Sequence, residues 1–414
     1  MPMKYVIIIP DGAADYPLDE LDGQTPLQAA RTPNIDKLAE IGRQGTVVTT
    51  PEGMPCGSDV CSMSLLGYDP VRYHRGRAPL EAAALGIELD ARDWIFRVNL
   101  VTVLDGNMQD HSAGHISSRE GETLIREFAA HVGLPPGMLL YPGVSYRNIL
   151  VDTTNRNASD ESPGRDWAEL ETIPPHDIPG EPMRKHLPVG GEFAGLLQQF
   201  IAESNVFLRE HEINLTRQEI GELPATHFWP WGQGQVPVMP SFADRFKLRG
   251  AMITAVDLLA GISHFIGWDR LDVPGQTSYH DNDYPATGRH AVDALDAYDL
   301  LCVHVEAPDE AAHAADAATK VAAIEAIDEH VVGPIHDALA SRYDNDWRLL
   351  LLPDHYTRVE TRKHDPTPVP FLMAGKRVRS LVQRPFTEAH ANEADLHIPH
   401  GHELMEYFLL SGRD

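Results

Sequence analysis

The chain has 414 residues, 43% of them hydrophobic and 23% charged, a balance that suits one large globular domain or two medium ones. Its 34 Lys and Arg against 61 Asp and Glu give a formal charge of −27, a field that repels nucleic acid and anionic membrane surfaces. An anionic substrate is repelled too, so any phosphate site must be a local cationic exception built from Arg, Lys or metal.

In chain order, the first expected element is a buried strand over residues 5–9, a run of Tyr, Val and Ile that ends in Pro10-Asp11-Gly12. A helical pattern covers 32–42, and a second covers 59–66 after the turn that carries Ser58. From about residue 73 the patterning changes. Strands are expected over 96–104 and 146–151, a helix near 191–210, and a surface loop over 155–188, where Pro, Gly and acids interrupt both helix and ladder. We read 73–245 as an inserted α+β domain and 1–72 with 246–414 as the main sheet domain. The apolar stretch 251–268 is broken by Asp257 and His264, so it is a poor membrane span. Further strands are expected over 300–305 and 348–352, with helical pattern over 311–339 and a terminal amphipathic helix over 401–408. Strands alternating with helices predict an α/β fold with a mostly parallel sheet. Three sparse cysteines, Cys56, Cys61 and Cys302, match no disulfide framework and point to a reducing compartment. The first two read as small packing residues. The apolar run at residues 5–9 is too short for a secretory signal, so a cytoplasmic location is expected.

The residues just past the strands carry the chemistry. The strand over 5–9 runs into Asp11, that over 300–305 into Asp309 with His313 four residues on, and that over 348–352 into Asp354 and His355, with His364 beyond. In open parallel sheets the ligand crevice lies past the carboxyl ends of the strands, so these residues are expected on one rim. Each acid taken alone reads as well as a turn or cap residue, and each histidine as an ordinary surface side chain. Three strand-end acids with histidines beside them suit a pair of divalent cations, with Mn or Zn preferred over Ca. Ser58, at a helix start, is the candidate nucleophile, because helix N-termini cradle phosphate.

The motifs Ile7-Ile-Ile-Pro-Asp-Gly12, Glu52-Gly-Met-Pro-Cys-Gly-Ser-Asp59, Leu66-Gly-Tyr-Asp-Pro70, Gly143-Val-Ser-Tyr-Arg147, His304-Val-Glu-Ala-Pro-Asp-Glu310 and Leu352-Pro-Asp-His355 occur in this order. Together they resemble the archaeal-type, cofactor-independent phosphoglycerate mutases and their bacterial relatives, over nearly the whole chain. The resemblance implies an alkaline-phosphatase-like sheet domain with helices on both faces, two divalent ions, and an inserted domain that binds substrate and closes on it. It implies Asp11, Ser58, Asp354 and His355 as ligands of one ion and Asp309, His313 and His364 as ligands of the other. Ser58 would take the phosphoryl group of 3-phosphoglycerate and return it to the 2-hydroxyl. Arg75, Arg77, His111, His115 and Arg147 are expected to meet the small phosphorylated substrate. Another phosphotransferase on the same site, including a homoserine-kinase-like enzyme from a similar bacterial branch, stays open at this point, as does a phosphomonoesterase. A binding protein that kept the fold without turnover would be expected to have lost some of the seven ligand candidates. His397, His400 and His402 read as part of the terminal helix region, and His176 and Asp177 carry no role derivable from sequence.

Overall fold

The computed structural model describes residues 3–159, 161, 163–380 and 383–411. The chain forms two compact units, one from residues 1–74 with 239–414 and the other from residues 75–238.

The larger unit is built on an eight-stranded sheet. Its spatial order is His397–Ile398, Arg43–Val47, Val369–Gly375, Trp347–Leu351, Lys4–Pro10, Leu300–Val305, Gly250–Ile253 and Asp269–Arg270. Lys4–Pro10 is central and parallel to both Leu300–Val305 and Trp347–Leu351. Val369–Gly375 runs antiparallel to both Trp347–Leu351 and Arg43–Val47 at one side, and His397–Ile398 is parallel to Arg43–Val47. The central strands are apolar at nearly every position because both faces are covered. Val6 and Ile8 enter the core with Val303, Leu349, Leu351 and the helix residues Leu38, Ile324 and Ile335. Tyr5 faces the other way and packs edge-on against Phe408 of the terminal helix Gly401–Leu410, 5.6 Å between centroids.

The three strands expected from sequence are present, and their register decides where the functional residues go. Ile9 lies beside His304 and Ile8 beside Leu351, so the three strands end at one level. The helical pattern over 311–339 is not one helix. It resolves into Ala307–His313, Ala317–Ile327, a π-helical turn Asp328–Val332 and Gly333–Arg342, with Ala315 at φ +58° in the first break. Asp328 in the π turn has its own task. Its carboxylate accepts from the amides of Asn34 and Ile35, at 3.1 and 2.7 Å, and so caps the helix Pro33–Ile41, whose cap residue Thr32 makes no side-chain bond.

The unit 75–238 is an antiparallel sheet with helices. Trp94–Leu104 is its spine, pairing with Asn107–Asp110, Arg147–Asp152 and His227–Gln235, and Met138–Tyr141 adds to Arg147–Asp152. The helices Ser118–His131 and Ala194–Glu210 cover one face through Leu124, Phe128, Leu197 and Phe200. The loop expected over 155–188 holds short 3₁₀ turns and isolated bridges at Glu171 and Pro182 among its described residues. His227–Gln235 is not legible as a strand because it contains Pro230 and two glycines. It is tolerated because this strand pairs on one side only, with Trp94–Leu104, and an edge strand can spare the N–H that proline lacks.

One pH prediction arises here. Burial of His227 pushes its imidazole down to about 4, against an ordinary value near 6.5. The folded unit therefore holds it neutral, and its contribution is complete above pH 6.5. As pH falls from 6.5 towards 4 the unfolded chain takes up the proton first, and about 3 kcal/mol of stability should be lost. Denaturant unfolding at pH 7 and pH 4.5 in wild type and His227→Asn checks this. The wild type should lose more on acidification than the variant, and equal losses would show that His227 does not contribute.

Candidate metal centre and active site

At the level where the central strands end, main-chain bonds hold the rim together. The amide of Asp11 donates to the Val305 carbonyl at 3.0 Å, and that of Leu352 to the Ile8 carbonyl at 3.2 Å. Asp11, Asp309, Asp354 and His355 are all buried there. Two groups of side chains converge within coordinating reach: Asp11 with Asp354 and His355, and Asp309 with His313 and His364. A further group, Asp11 with His304 and Glu306, shares the first carboxylate.

Around Asp309, the His313 Nε2 lies 3.2 Å from Oδ2 and the His364 Nε2 3.4 Å from Oδ1, and the two Nε2 atoms are 2.9 Å apart. Each ring is oriented from behind. His313 Nδ1 meets the Arg362 carbonyl at 3.0 Å and His364 Nδ1 the Cys56 carbonyl at 3.2 Å. A carbonyl only accepts, so both Nδ1 atoms carry the proton and both Nε2 atoms present lone pairs when neutral. Burial pushes Asp309 up, but the histidines outweigh it and hold the carboxyl well below its usual range. Burial lowers His364, but Asp309 more than reverses that and lifts it to about 9, and Asp309 raises His313 as well.

The other group is set by Thr357. Its hydroxyl donates to Asp309 Oδ1 at 2.6 Å and so accepts from His355 Nδ1 at 3.0 Å. That leaves His355 Nε2 as an acceptor. It faces Ser58 Oγ at 3.3 Å, Asp354 Oδ2 at 3.4 Å and Asp11 Oδ1 at 3.5 Å. Burial, then the charges of Asp354 and Asp309, push the Asp11 carboxyl well up, and burial pushes His355 down. Asp11 Oδ1 and Asp354 Oδ2 are buried and accept no hydrogen bond. Buried carboxylate oxygens without donors are costly, and a divalent cation would satisfy both. The donor set of carboxylates and neutral imidazoles therefore fits a divalent metal ion. Gly12 shows how close the packing is. At φ +58°, a Cβ there would stand 2.4 Å from Thr357 Oγ1 and 2.7 Å from Asp309 Oδ1.

Ser58 is not the cap residue but the first residue of the helix Ser58–Leu65, capped by Gly57 in extended conformation. The first intrahelical bond runs from Cys61 N to Gly57 O at 2.9 Å, so the preceding amides carry the positive end of the helix dipole beside Ser58 Oγ. All seven residues expected as ligands thus lie in the larger unit and adjoin one another.

The five expected substrate residues all belong to the unit 75–238. Arg147 lies opposite Asn99 in the sheet, with its guanidinium 5.6 Å from the Tyr146 ring. His111 and His115 stand edge-on to the same ring at 5.7 and 6.3 Å, and His111 meets His176 at 6.0 Å. Arg77 opens the helix Arg77–Ala84, and the Arg75 carbonyl abuts Gly234. Sequence reasoning missed Arg97, which stacks on Trp231 at 4.1 Å and pairs with Glu81 at 2.9 Å. Burial lowers its pKa, and Arg77 and Arg147 add to that, so three guanidinium groups crowd one region. The signal was available: Arg97 and Asn99 are polar at alternate positions of a largely apolar strand, hence on one face. His304 was also missed. Its Nε2 lies 2.8 Å from Asp11 Oδ2 and its Nδ1 3.2 Å from Thr254 Oγ1. Among the described residues, His397, His400 and His402 enter no candidate metal group; His397 bonds Thr46 instead, at 2.8 Å.

Fold and centre define a class: an α/β protein whose sheet is covered on both faces, with a cation-ready rim and a serine hydroxyl beside it. A sequence model of the family described as 2,3-bisphosphoglycerate-independent phosphoglycerate mutase matches residues 39–214. The chain is 47% identical over 407 residues to 2,3-bisphosphoglycerate-independent phosphoglycerate mutase 2 of Methanothermobacter thermautotrophicus, covering 98% of this chain and 97% of that one. A solved structure from Pyrococcus horikoshii is 27% identical with a TM-score of 0.82, covering 99% and 97% of the two chains. The cofactor-independent phosphoglycerate mutase of Thermoplasma acidophilum is 25% identical with a TM-score of 0.67, covering 98% and 99%. This chain belongs to the 2,3-bisphosphoglycerate-independent phosphoglycerate mutase family.

Proposed function

We propose that the chain interconverts 3-phosphoglycerate and 2-phosphoglycerate without 2,3-bisphosphoglycerate, through a transient phosphoserine at Ser58. The observation that carries this reading is Ser58 Oγ at a helix start, 3.3 Å from a His355 Nε2 held in its acceptor form. An ion held beside Ser58 by the His355 Nε2 lone pair would lower the pKa of the hydroxyl, and the helix start supports the charge of a phosphoserine. Asp11, Ser58, Asp354 and His355 would hold one divalent ion, and Asp309, His313 and His364 a second. Two such ions, Mn or Zn, supply charge neutralisation at phosphate oxygens and lower the pKa of a nearby hydroxyl. Arg77, Arg97 and Arg147, with Arg75, His111 and His115, would bind and orient the phosphate and carboxylate of the substrate.

Mn-loaded protein incubated with 3-phosphoglycerate alone should yield 2-phosphoglycerate, and the reverse reaction should run as well. Release of inorganic phosphate without 2-phosphoglycerate would make it a phosphatase and overturn the reading. Divalent-ion affinity should rise with pH up to about 9, because His364 must shed its proton before it can coordinate. Thr357→Val removes the hydroxyl that orients both His355 and Asp309, and it should weaken ion affinity by about 10–100-fold while the fold is kept. Equilibrium dialysis with metal analysis reads both effects, and an unchanged affinity in Thr357→Val would show that this hydroxyl positions nothing that matters.

A further inference from the structure

The helix Ser58–Leu65 follows its cap Gly57, so Cys56 precedes the cap and Cys61 is the fourth helical residue. Side chains at these two positions face each other at helix starts, where an apolar pair commonly closes the turn. Here both members are thiols. Their side chains adjoin, and Thr50 Oγ1 lies 3.2 Å from Cys61 Sγ. Cys56 is half-buried and reachable, whereas Cys61 is fully buried behind it; Cys302 sits apart, inside the strand Leu300–Val305. The turn they close is the one that carries the chemistry. The Cys56 carbonyl holds His364 Nδ1 at 3.2 Å, and Ser58 is two residues further on.

We propose that Cys56 and Cys61 form a reversible oxidation site, in which a hydroperoxide joins the two thiols as a disulfide and displaces the Ser58 turn. The effect on turnover rests on the mutase reading above; the chemistry of the pair does not. The Cys56 sulfur attacks the terminal peroxide oxygen, the O–O bond breaks, and Cys56 becomes a sulfenic acid while the peroxide leaves as an alcohol, or as water from hydrogen peroxide. The Cys61 sulfur then attacks the Cys56 sulfur and expels water. Two thiols are oxidised and one hydroperoxide is reduced. An S–S bond of about 2.05 Å is much shorter than any thiol–thiol hydrogen bond. Cys61 is anchored by its helix, its amide bonded to Gly57 O at 2.9 Å, so the backbone at residues 56 and 57 has to give way. That movement draws the carbonyl away from His364 and moves Ser58. In a reducing compartment the pair rests as dithiol, with all three cysteines free.

The test treats Mn-loaded wild type with hydrogen peroxide, then alkylates it in denaturant for mass spectrometry and assays mutase turnover. Alkylated thiols should fall from three to one, and the peptide holding Cys56 and Cys61 should be lighter by two hydrogens. Turnover should drop about a hundredfold, the scale for an ångström of misplacement at a reacting group. Dithiothreitol should restore both. Cys61→Ala, which touches no reacting group, should keep its turnover under the same treatment. Cys56 oxidised with Cys61 still alkylatable, or Cys61→Ala inactivated as fast as wild type, would overturn the proposal. The disulfide is read by mass alone, so absence of turnover before oxidation would sink the mutase reading separately.

Discussion

Ser58→Ala is expected to reduce phosphoryl exchange by about four to six orders of magnitude, the scale seen when a covalent nucleophile is removed. The Ser58 hydroxyl opens its helix beside the rim, and His355 Nε2 stands 3.3 Å from it. The fold should survive, because Ser58 sits at the first turn of its helix and alanine is a strong helix former there. At least the ion proposed for Asp309, His313 and His364 should remain, since none of those residues changes. Ser62→Ala and Ser64→Ala are the controls. Both hydroxyls are buried in the same helix without hydrogen-bond partners, so their loss should change turnover little and stability hardly at all. The measurements are single-turnover exchange with labelled 3-phosphoglycerate and detection of phosphoserine by mass spectrometry. Wild-type-like turnover in Ser58→Ala would exclude the covalent route. Loss of turnover with no phosphoserine trapped in wild type would leave Ser58 as a ligand only.

The second large effect is on stability. Lys320, from the helix Ala317–Ile327, is fully buried and reaches Asp15 Oδ2 at 2.9 Å, the Thr357 carbonyl at 2.6 Å and the Ala14 carbonyl at 3.3 Å. Asp15 in turn accepts from the amides of Val359 and Tyr16, at 3.0 and 2.8 Å. This ion pair therefore ties the segment after Asp11 to the segment after His355. Burial lowers the Lys320 pKa, opposed by Asp15. A buried pair of this kind adds little net stability over an apolar pair, but removing one partner strands a charge in the interior. Lys320→Met should cost about 3–5 kcal/mol. A folding loss below about 1 kcal/mol would place the pair on the level of surface ion pairs and refute the argument. Denaturant unfolding of the metal-free protein decides it, since bound ions would add their own stabilisation to the native state.

The α/β class, the three central strands and the acids at their ends were legible in the sequence alone. Buried parallel strands are uniform apolar runs, and in open sheets the residue just past such a run lies on the ligand rim whatever the rest of the chain does. Asp11, Asp309 and Asp354 were legible for that reason, and His313 through its helical interval. Which residues turn the histidines was not legible. It depends on carbonyls of Cys56 and Arg362 and on the Thr357 hydroxyl, brought in from segments far apart in the chain or pointing back from a loop. Pairwise contacts of that kind leave no periodic trace. The strand His227–Gln235 was hidden because local propensity speaks against Pro230 and the glycines, and only its edge position overrules that. The long helical pattern after residue 311 was likewise cut by tertiary demands, the π turn at Asp328 being held in place by the helix it caps. Local pattern determined what each segment is; register and burial decided which atoms face one another, because those depend on the partner strand and not on the strand's own residues.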